Sequence, residues 1–187
     1  FEIADVDTGE TLGILVSSSS QDVVVTADSE NHSITAVPNE NWHGNADLIV
    51  SVSDGELVDT TRFTLTVDPV NDAPIITGKD DETLLEDFSS SYLFEVADID
   101  TGETLVLSVL SDTSGVEVTV DSDLEHQSIN VAPILNWHGK STITVVVSDG
   151  ELTDSTDFEL TVVPINDAPT ITDVEDKIML EDNSKTF

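Results

Sequence analysis

The sequence predicts an all-β chain of tandem Greek-key β-sandwiches arranged in line, with about seven strands per repeat. Three observations carry that prediction. Apolar residues alternate with Thr, Ser and Asp over short runs, as in Phe63, Leu65 and Val67 around Thr64 and Thr66. The chain matches itself at a spacing of about 95 residues, which marks an array of repeated units. A short joint, Val70-Asn71-Asp72-Ala73-Pro74, returns as Ile165-Asn166-Asp167-Ala168-Pro169. No helical periodicity of useful length interrupts these patterns.

Taken in order, Phe1-Glu2-Ile3-Ala4-Asp5-Val6-Asp7-Thr8-Gly9-Glu10-Thr11-Leu12 matches the run from Phe94 to Leu105 at an offset of 93. Two extra residues are expected in the second copy around Asp112–Gly115, and from Trp42 and Trp137 onward the offset is 95, as for a loop insertion between strands. Asn-Trp-His-Gly (41–44 and 136–139) precedes a strand with one apolar face, Leu48, Val50 and Val52 against Ile143, Val145 and Val147. Ser-Asp-Gly-Glu-Leu (53–57 and 148–152) then turns into a last strand, Phe63, Leu65 and Val67 against Phe158, Leu160 and Val162. Asp-Gly between two alternating runs is a hairpin signal. At the joint, Asn and Asp bend the chain, while Pro fixes φ and lacks an N–H, so no ladder runs through it.

Beyond the joint, Ile75-Ile76-Thr77 and Leu84-Leu85-Glu86-Asp87 read as the opening strand region of the second copy, and Ile171-Thr172 to Leu180-Glu181-Asp182 as that of a third. The expected division is therefore residues 1–70, a first repeat without its opening strand; 71–165, a complete second repeat; and 166–187, a linker and the opening strand of a third. Phe1 falls inside a strand pattern, so the chain reads as cut from a longer protein.

Composition excludes several functions. Five Lys and Arg stand against 39 Asp and Glu, a formal charge of −34, which leaves nothing to neutralise phosphates and excludes nucleic acid. The same balance disfavours an anionic membrane surface unless divalent ions bridge the two, and no apolar run is long enough for membrane insertion. A charge this large opposes compaction, so something must screen it. Without Cys there are no disulfides and no thiolate metal sites. A disordered acidic tail is excluded by the 38% of apolar residues in regular alternation.

Tracing a seven-strand sandwich up and down brings three acidic features to one end of the complete repeat: Asn71-Asp72 at the joint, Asp98 and Asp100, and Asp149 before a Gly. The same tracing puts Glu86-Asp87 at the opposite end, beside Asn166-Asp167, while Asp5 and Asp7 form an equivalent half-site in the first copy. Each Asp taken alone reads as a turn residue. Convergence of carboxylates is what points to an ion, because Asp72, Asp98, Asp100 and Asp149 together repel one another and Ca²⁺ accepts six to eight oxygens in a flexible shell. Oxygen-only donors favour it over other metals. An EF-hand is excluded, since loops starting at Asp5 or Asp98 would need Glu where Val16 and Val109 stand.

The motifs V-x-D-x-D, N-W-x-G, V-S-D-G-x-L and V-N-D-A-P, each present twice with Ile replacing Val in Ile3/Asp5/Asp7, resemble those of bacterial cadherin-like tandem repeats of large secreted or surface adhesins. The resemblance covers essentially the whole chain. It implies cadherin-like, immunoglobulin-like sandwiches with calcium held between repeats. Carried over residue by residue, it implicates Asn71, Asp72, Asp98, Asp100 and Asp149 at one joint, and Glu86, Asn166 and Asp167 at the next. The linker is shorter than in cadherins, and Asn41 or Asn136 stands about where cadherins carry an acidic segment. Fewer ions per joint and weaker binding are the implied consequence.

The function so implied is a non-enzymatic segment of an extracellular bacterial adhesin or stalk, stiffened by calcium for cell adhesion or biofilm formation. Its partners would be calcium ions, neighbouring repeats, and like molecules by strand addition or a surface polysaccharide. Two rivals remain open. In one, Trp42 and Trp137 stack on sugar and the chain is a carbohydrate-binding accessory module of a secreted polysaccharide-degrading enzyme; the plainer reading has each Trp plugging one end of a sandwich. In the other, the acidic surface only keeps a passive spacer soluble. His43 and His138 read as loop residues, since no second His lies at a zinc-binding spacing. Asn31-His32-Ser33 is a glycosylation sequon, and no nucleophile setting such as G-x-S-x-G occurs.

Overall fold

The computed structural model describes residues 1–6, 11–121 and 127–186. All regular structure among them is β. No helix there is long and apolar enough to cross a membrane. The chain forms two compact units: Phe1–Ile75 with Val96–Val106 and Val147–Asp154, and Ile76–Glu95 with Leu107–Val146 and Ser155 onward.

Copy one contributes β1 (Gly13–Ser18), β2 (Val23–Asp28), β3 (Ser33–Pro38), β4 (Gly44–Ser53) and β5 (Val58–Val67). The sheets run β1-β4-β5 and β2-β3, with antiparallel neighbours throughout. β4 and β5 form the expected hairpin, in register from Ser53↔Val58 to Gly44↔Val67 across the Asp54–Leu57 loop. Period-two alternation on β4 buries Ala46, Leu48 and Val50 with Ile14 and Val23, while Asn45, Asp47 and Ile49 face out.

Copy two continues with β6 (Ile75–Ile76), β7 (Glu82–Leu85), β8 (Ser90–Leu93), β9 (Val96–Ala97), β10 (Val106–Ser111), β11 (Val116–Val120), β12 (Ser128–Pro133), β13 (Gly139–Ser148) and β14 (Thr153–Val163). Two sheets, β10-β13-β14-β7 and β11-β12-β8, and a separate small β6-β9 pair make up the complete copy, a sandwich. β7 lies parallel to β14, from Leu160↔Glu82 to Val163↔Leu85. The core of the second unit includes Ile129, Val131, Ile143, Val145, Leu160 and Val162. Phe158 of β14 packs edge-on against Tyr92 of β8, with ring centroids 5.6 Å apart.

Three local expectations differ from the structure. β10 and β11 start 93 residues after β1 and β2, but β12 starts 95 after β3, so the two extra residues lie between β11 and β12 and not around Asp112–Gly115. The Val116-Glu117-Val118-Thr119 alternation already matches Val23-Val24-Val25-Thr26. Phe1 lies in no strand, although its counterpart region forms β9, which pairs with β6. Residues 170–186 likewise lie in no strand, despite their strand-like alternation.

Candidate metal centre

The joint and the Asp98–Glu103 turn are built from local backbone chemistry. β5 stops at Val67, and Pro74, almost fully buried, precedes the two-residue strand β6. Between them, the Asp72 N–H donates to Asp100 Oδ2 at 2.7 Å, and Asn71 Nδ2 donates to Asp149 Oδ2 at 3.0 Å. Asp98 Oδ1 accepts from the Asp100 N–H at 2.9 Å, closing the D-x-D turn on itself. Gly102, at φ 96°, then reverses the chain in a conformation that suits glycine. That reversal brings Glu103 back toward the turn.

Asp98, Glu103 and Asp149 each offer a carboxylate oxygen, all within 4.8 Å of one another, the only such group of three among the described residues. Asp98 Oδ2 is buried and has no hydrogen-bond partner. Asp149 Oδ1 accepts from the Leu152 and Glu151 N–H groups, both at 2.7 Å. Those backbone bonds, with the Asn71 amide, hold the Asp149 carboxyl below its ordinary pKa. Glu103 is pushed the other way, first by desolvation and then by the charges of Asp149, Asp98, Asp100 and Glu151. An orphaned buried oxygen in a group of three carboxylates, one of them pushed up by its neighbours' charges, is a donor set that fits a hard divalent cation.

The structure brings together the segments that the sequence grouped at the first joint, and it adds Glu103 beside them. Asn71 bonds Asp149, while neighbouring Asp72 bonds Asp100, which in turn bonds Asp98. Glu103 was the omission, and the signal for it was present: the D-x-D-T-G-E run occurs in both copies.

At the other end of copy two, Glu86 is buried to 2% exposure. Its Oε1 accepts from the Ile165 N–H at 2.7 Å, while Oε2 makes no hydrogen bond and lies 3.4 Å from His138 Nδ1. Glu86 thus sits beside the second joint, bonded to Ile165, which precedes Asn166 in sequence. Asn166 and Asp167 are exposed, and the Asn166 amide donates to the Asp167 carbonyl at 3.1 Å. No group of three carboxylates gathers there among the described residues. In copy one, Asp5 is exposed, and Asp7 lies outside the described residues.

The remaining motifs have backbone roles. Asn41 and Asn136 take left-handed φ of 59° and 58°, which Asn tolerates better than most residues, and the Asn136 N–H donates to Asp87 Oδ1 at 2.7 Å. In the Ser-Asp-Gly-Glu-Leu loops, Ser53 and Ser148 hydroxyls bond the Leu57 and Leu152 carbonyls, and Asp54 caps Glu56 and Leu57 as Asp149 caps Glu151 and Leu152. Trp42 and Trp137 are half-buried. The indole of Trp137 lies over Gly115, where a Cβ would come within 2.1 Å of Nε1.

A family model described as a bacterial Ig domain matches residues 71–161. Among solved structures, human protocadherin-24 EC1-2 aligns at a TM-score of 0.52 with 16% identity, covering 85% of this chain and 85% of that one. That likeness is one of fold. Domains 4 and 5 of the S-layer protein SbsC align at a TM-score of 0.42 with 18% identity, covering 80% of this chain and 70% of that one. An endo-fucoidan hydrolase of glycoside hydrolase family 107 aligns at 0.40 with 20% identity over 84% of this chain, which spans 24% of the hydrolase. A comparison with curated proteins found no match.

Proposed function

We propose that the chain, whose residues 71–161 match a bacterial Ig domain model, is a non-enzymatic, extracellular segment whose joints bind calcium. The observation that carries the proposal is Asp98 Oδ2, buried without a partner in the one group of three carboxylates among the described residues. Asp98, Glu103 and Asp149 would hold the ion, with Asp100, Asp72 and Asn71 around them. Bound there, the cation would supply positive charge that offsets the desolvation and the carboxylate repulsion now pushing up Glu103. The protein's own part is positional. Asp100 grips the joint backbone at Asp72, and Asn71 grips Asp149, so the joint is tied to both loops that would share the ion.

Glu86, Asn166 and Asp167 are proposed as a second, thinner site, and Asp5 with Asp7 as the copy-one counterpart. Stiffened joints would suit an adhesin or stalk at a bacterial surface, in cell adhesion or biofilm formation. With a dissociation constant on the order of 10⁻⁴ M and extracellular calcium on the order of 10⁻³ M, one site stabilises the bound form by about 1.4 kcal/mol. That magnitude restrains a hinge; it does not fold a domain.

Calcium titration followed by thermal unfolding and small-angle scattering tests the reading. Calcium is expected to raise Tm and narrow the range of scattering dimensions, and Asp98→Asn to remove both effects while leaving the chelated protein unchanged. A chain indifferent to calcium is a passive spacer. An equal Tm loss for Asp98→Asn with calcium and with chelator would make Asp98 a structural turn residue.

A further inference from the structure

Among the described residues only two buried side-chain oxygens make no hydrogen bond: Asp98 Oδ2, in the centre at the first joint, and Glu86 Oε2. Glu86 follows β7 and is 2% exposed. Its Oε1 is committed to the Ile165 N–H, so Oε2 is left beside the imidazole of His138, with 3.4 Å between it and Nδ1. That gap is long for an N–H···O hydrogen bond, and a buried carboxylate oxygen without a partner is costly. It is the gap expected between two donors on one metal ion, since bonds of about 2.0–2.1 Å at a tetrahedral angle put nitrogen and oxygen about 3.3–3.4 Å apart. Both donors are held by their own backbones. The Glu86 N–H donates to the Val163 carbonyl at 3.0 Å, and the His138 loop is pinned by the Trp137 N–H to the Ile134 carbonyl at 3.0 Å and by the Asn136 N–H to Asp87 Oδ1 at 2.7 Å.

We propose that Glu86 Oε2 and His138 Nδ1 together bind one divalent transition-metal ion, with zinc(II) as the fitting case, and that water completes its shell. This rests on the reading of the second joint as a cation site, to which it adds a ligand and a different ion. Calcium takes oxygen donors, and the group of three carboxylates that would hold it at the first joint has no equivalent at the second among the described residues. An imidazole nitrogen instead suits zinc, copper, iron and nickel. His138 has no second histidine at a zinc-binding spacing in the sequence, and the fold supplies a carboxylate from the end of a distant strand in its place. With the ion bound, Glu86 holds the metal through one oxygen and the Ile165 N–H through the other, so it links the ion to the residue that precedes Asn166.

Zinc chloride titrated into the 187-residue chain in excess calcium tests this, because calcium competes for the carboxylates of the acidic surface. One equivalent is expected to move the His138 Nδ1 resonance and the Ile165 amide in ¹⁵N NMR spectra. His138→Gln replaces an exposed side chain, so folding is not at stake, and it is expected to weaken zinc binding by at least the roughly tenfold that loss of an outer partner costs. Glu86→Gln should do the same. His32→Asn, in the turn between β2 and β3, should bind zinc like the wild type. The Asp98→Asn chain, which tests calcium at the first joint, should keep the zinc response. Zinc that leaves His138 unmoved, or binds His138→Gln as tightly as wild type, overturns the proposal. Calcium that displaces zinc from His138 also overturns it, and makes the second joint a calcium site. An Ile165 amide and a His138 ring indifferent to both ions would remove the cation reading of that joint as well. A His138→Gln chain that loses Tm in chelator but keeps its zinc affinity would make Glu86 and His138 an ion pair only.

Discussion

The last strands of the two copies carry nearly the same apolar residues and meet opposite fates. Phe158, on β14, is 2% exposed, whereas Phe63, its counterpart on β5, is 45% exposed. Both strands hold their hairpin partner in the same way, β13 in one case and β4 in the other. What differs is what lies beyond. The Tyr92 and Phe94 rings cover Phe158, with centroids 5.6 Å and 6.4 Å away, and β7 occupies the outer edge of β14. All of those covering residues except Phe94, the counterpart of Phe1, precede the stretch that copy one shares with copy two. Strand formation is therefore a local property of these sequences, while burial depends on the opening strands.

Truncation gives the largest separation between the copies. Phe158→Ala should cost about 3–5 kcal/mol, as for a buried aromatic, and Phe63→Ala about 1 kcal/mol or less. Urea unfolding with separate probes of each copy checks both values. Equal losses would mean that the exposed face of β5 is covered in solution.

Next in size is the Trp loop. Gly115→Ala forces a Cβ into the Trp137 indole and should cost about 1–3 kcal/mol, with a red shift in Trp emission. The corresponding residue of copy one, Asp22, already carries a side chain, so Asp22→Ala should be nearly neutral.

These two pairs also show what the sequence can and cannot reveal. Alternation and Asp-Gly turns are written in neighbouring residues, so the hairpins β4-β5 and β13-β14 and the grouping of Asp98, Asp100 and Asp149 were all legible. The insertion was misplaced because Asp112–Gly115 is polar enough to resemble an added loop, although the match at Val116–Thr119 showed that register was still intact. Glu103 escaped because it joins the cluster through one left-handed turn at Gly102, and a single backbone reversal leaves no periodic signature. That residues 170–186 form no strand was also hidden, since strand alternation records a preference and pairing requires a second strand.

A smaller effect should appear at Glu103. Its raised pKa means that ionisation works against the folded state as pH rises through the carboxylate range, until a cation reverses the local field. Glu103→Gln is therefore expected to raise Tm in chelator and to shrink the calcium-induced rise. Calorimetry with and without calcium checks the two signs, and a variant with both values unchanged would remove Glu103 from the site.

The smallest expected difference lies between two matching loops. Asp54 and Asp149 are both held below the ordinary 3.8 by backbone N–H groups, of Leu57 and Glu56 in one loop and of Leu152 and Glu151 in the other. A depressed folded pKa contributes stability above the unfolded value and loses it as pH falls through the folded one. Both loops should thus hold through pH 3.8 and loosen below it. Asn71→Ala should move the Asp149 titration upward and leave Asp54 where it is, read from the Leu152 and Leu57 amide shifts against pH.

The parallel pairing of β7 with β14 has a mechanical consequence. Tension along the chain pulls Glu82 toward the N-terminal side and Val163 toward the C-terminal side, so two parallel neighbours are dragged in opposite directions along their common axis. The four paired positions, Leu160↔Glu82 to Val163↔Leu85, are loaded together in shear. An antiparallel hairpin such as β4-β5, pulled at its open end, would instead release its bonds one after another, like a zipper. The Glu86 clasp on Ile165 lies at the end of that sheared patch, where it resists sliding at the point through which force leaves the sandwich. Force resistance in copy two is thus concentrated in a few residues of its first and last strands, and little of it depends on the size of the core.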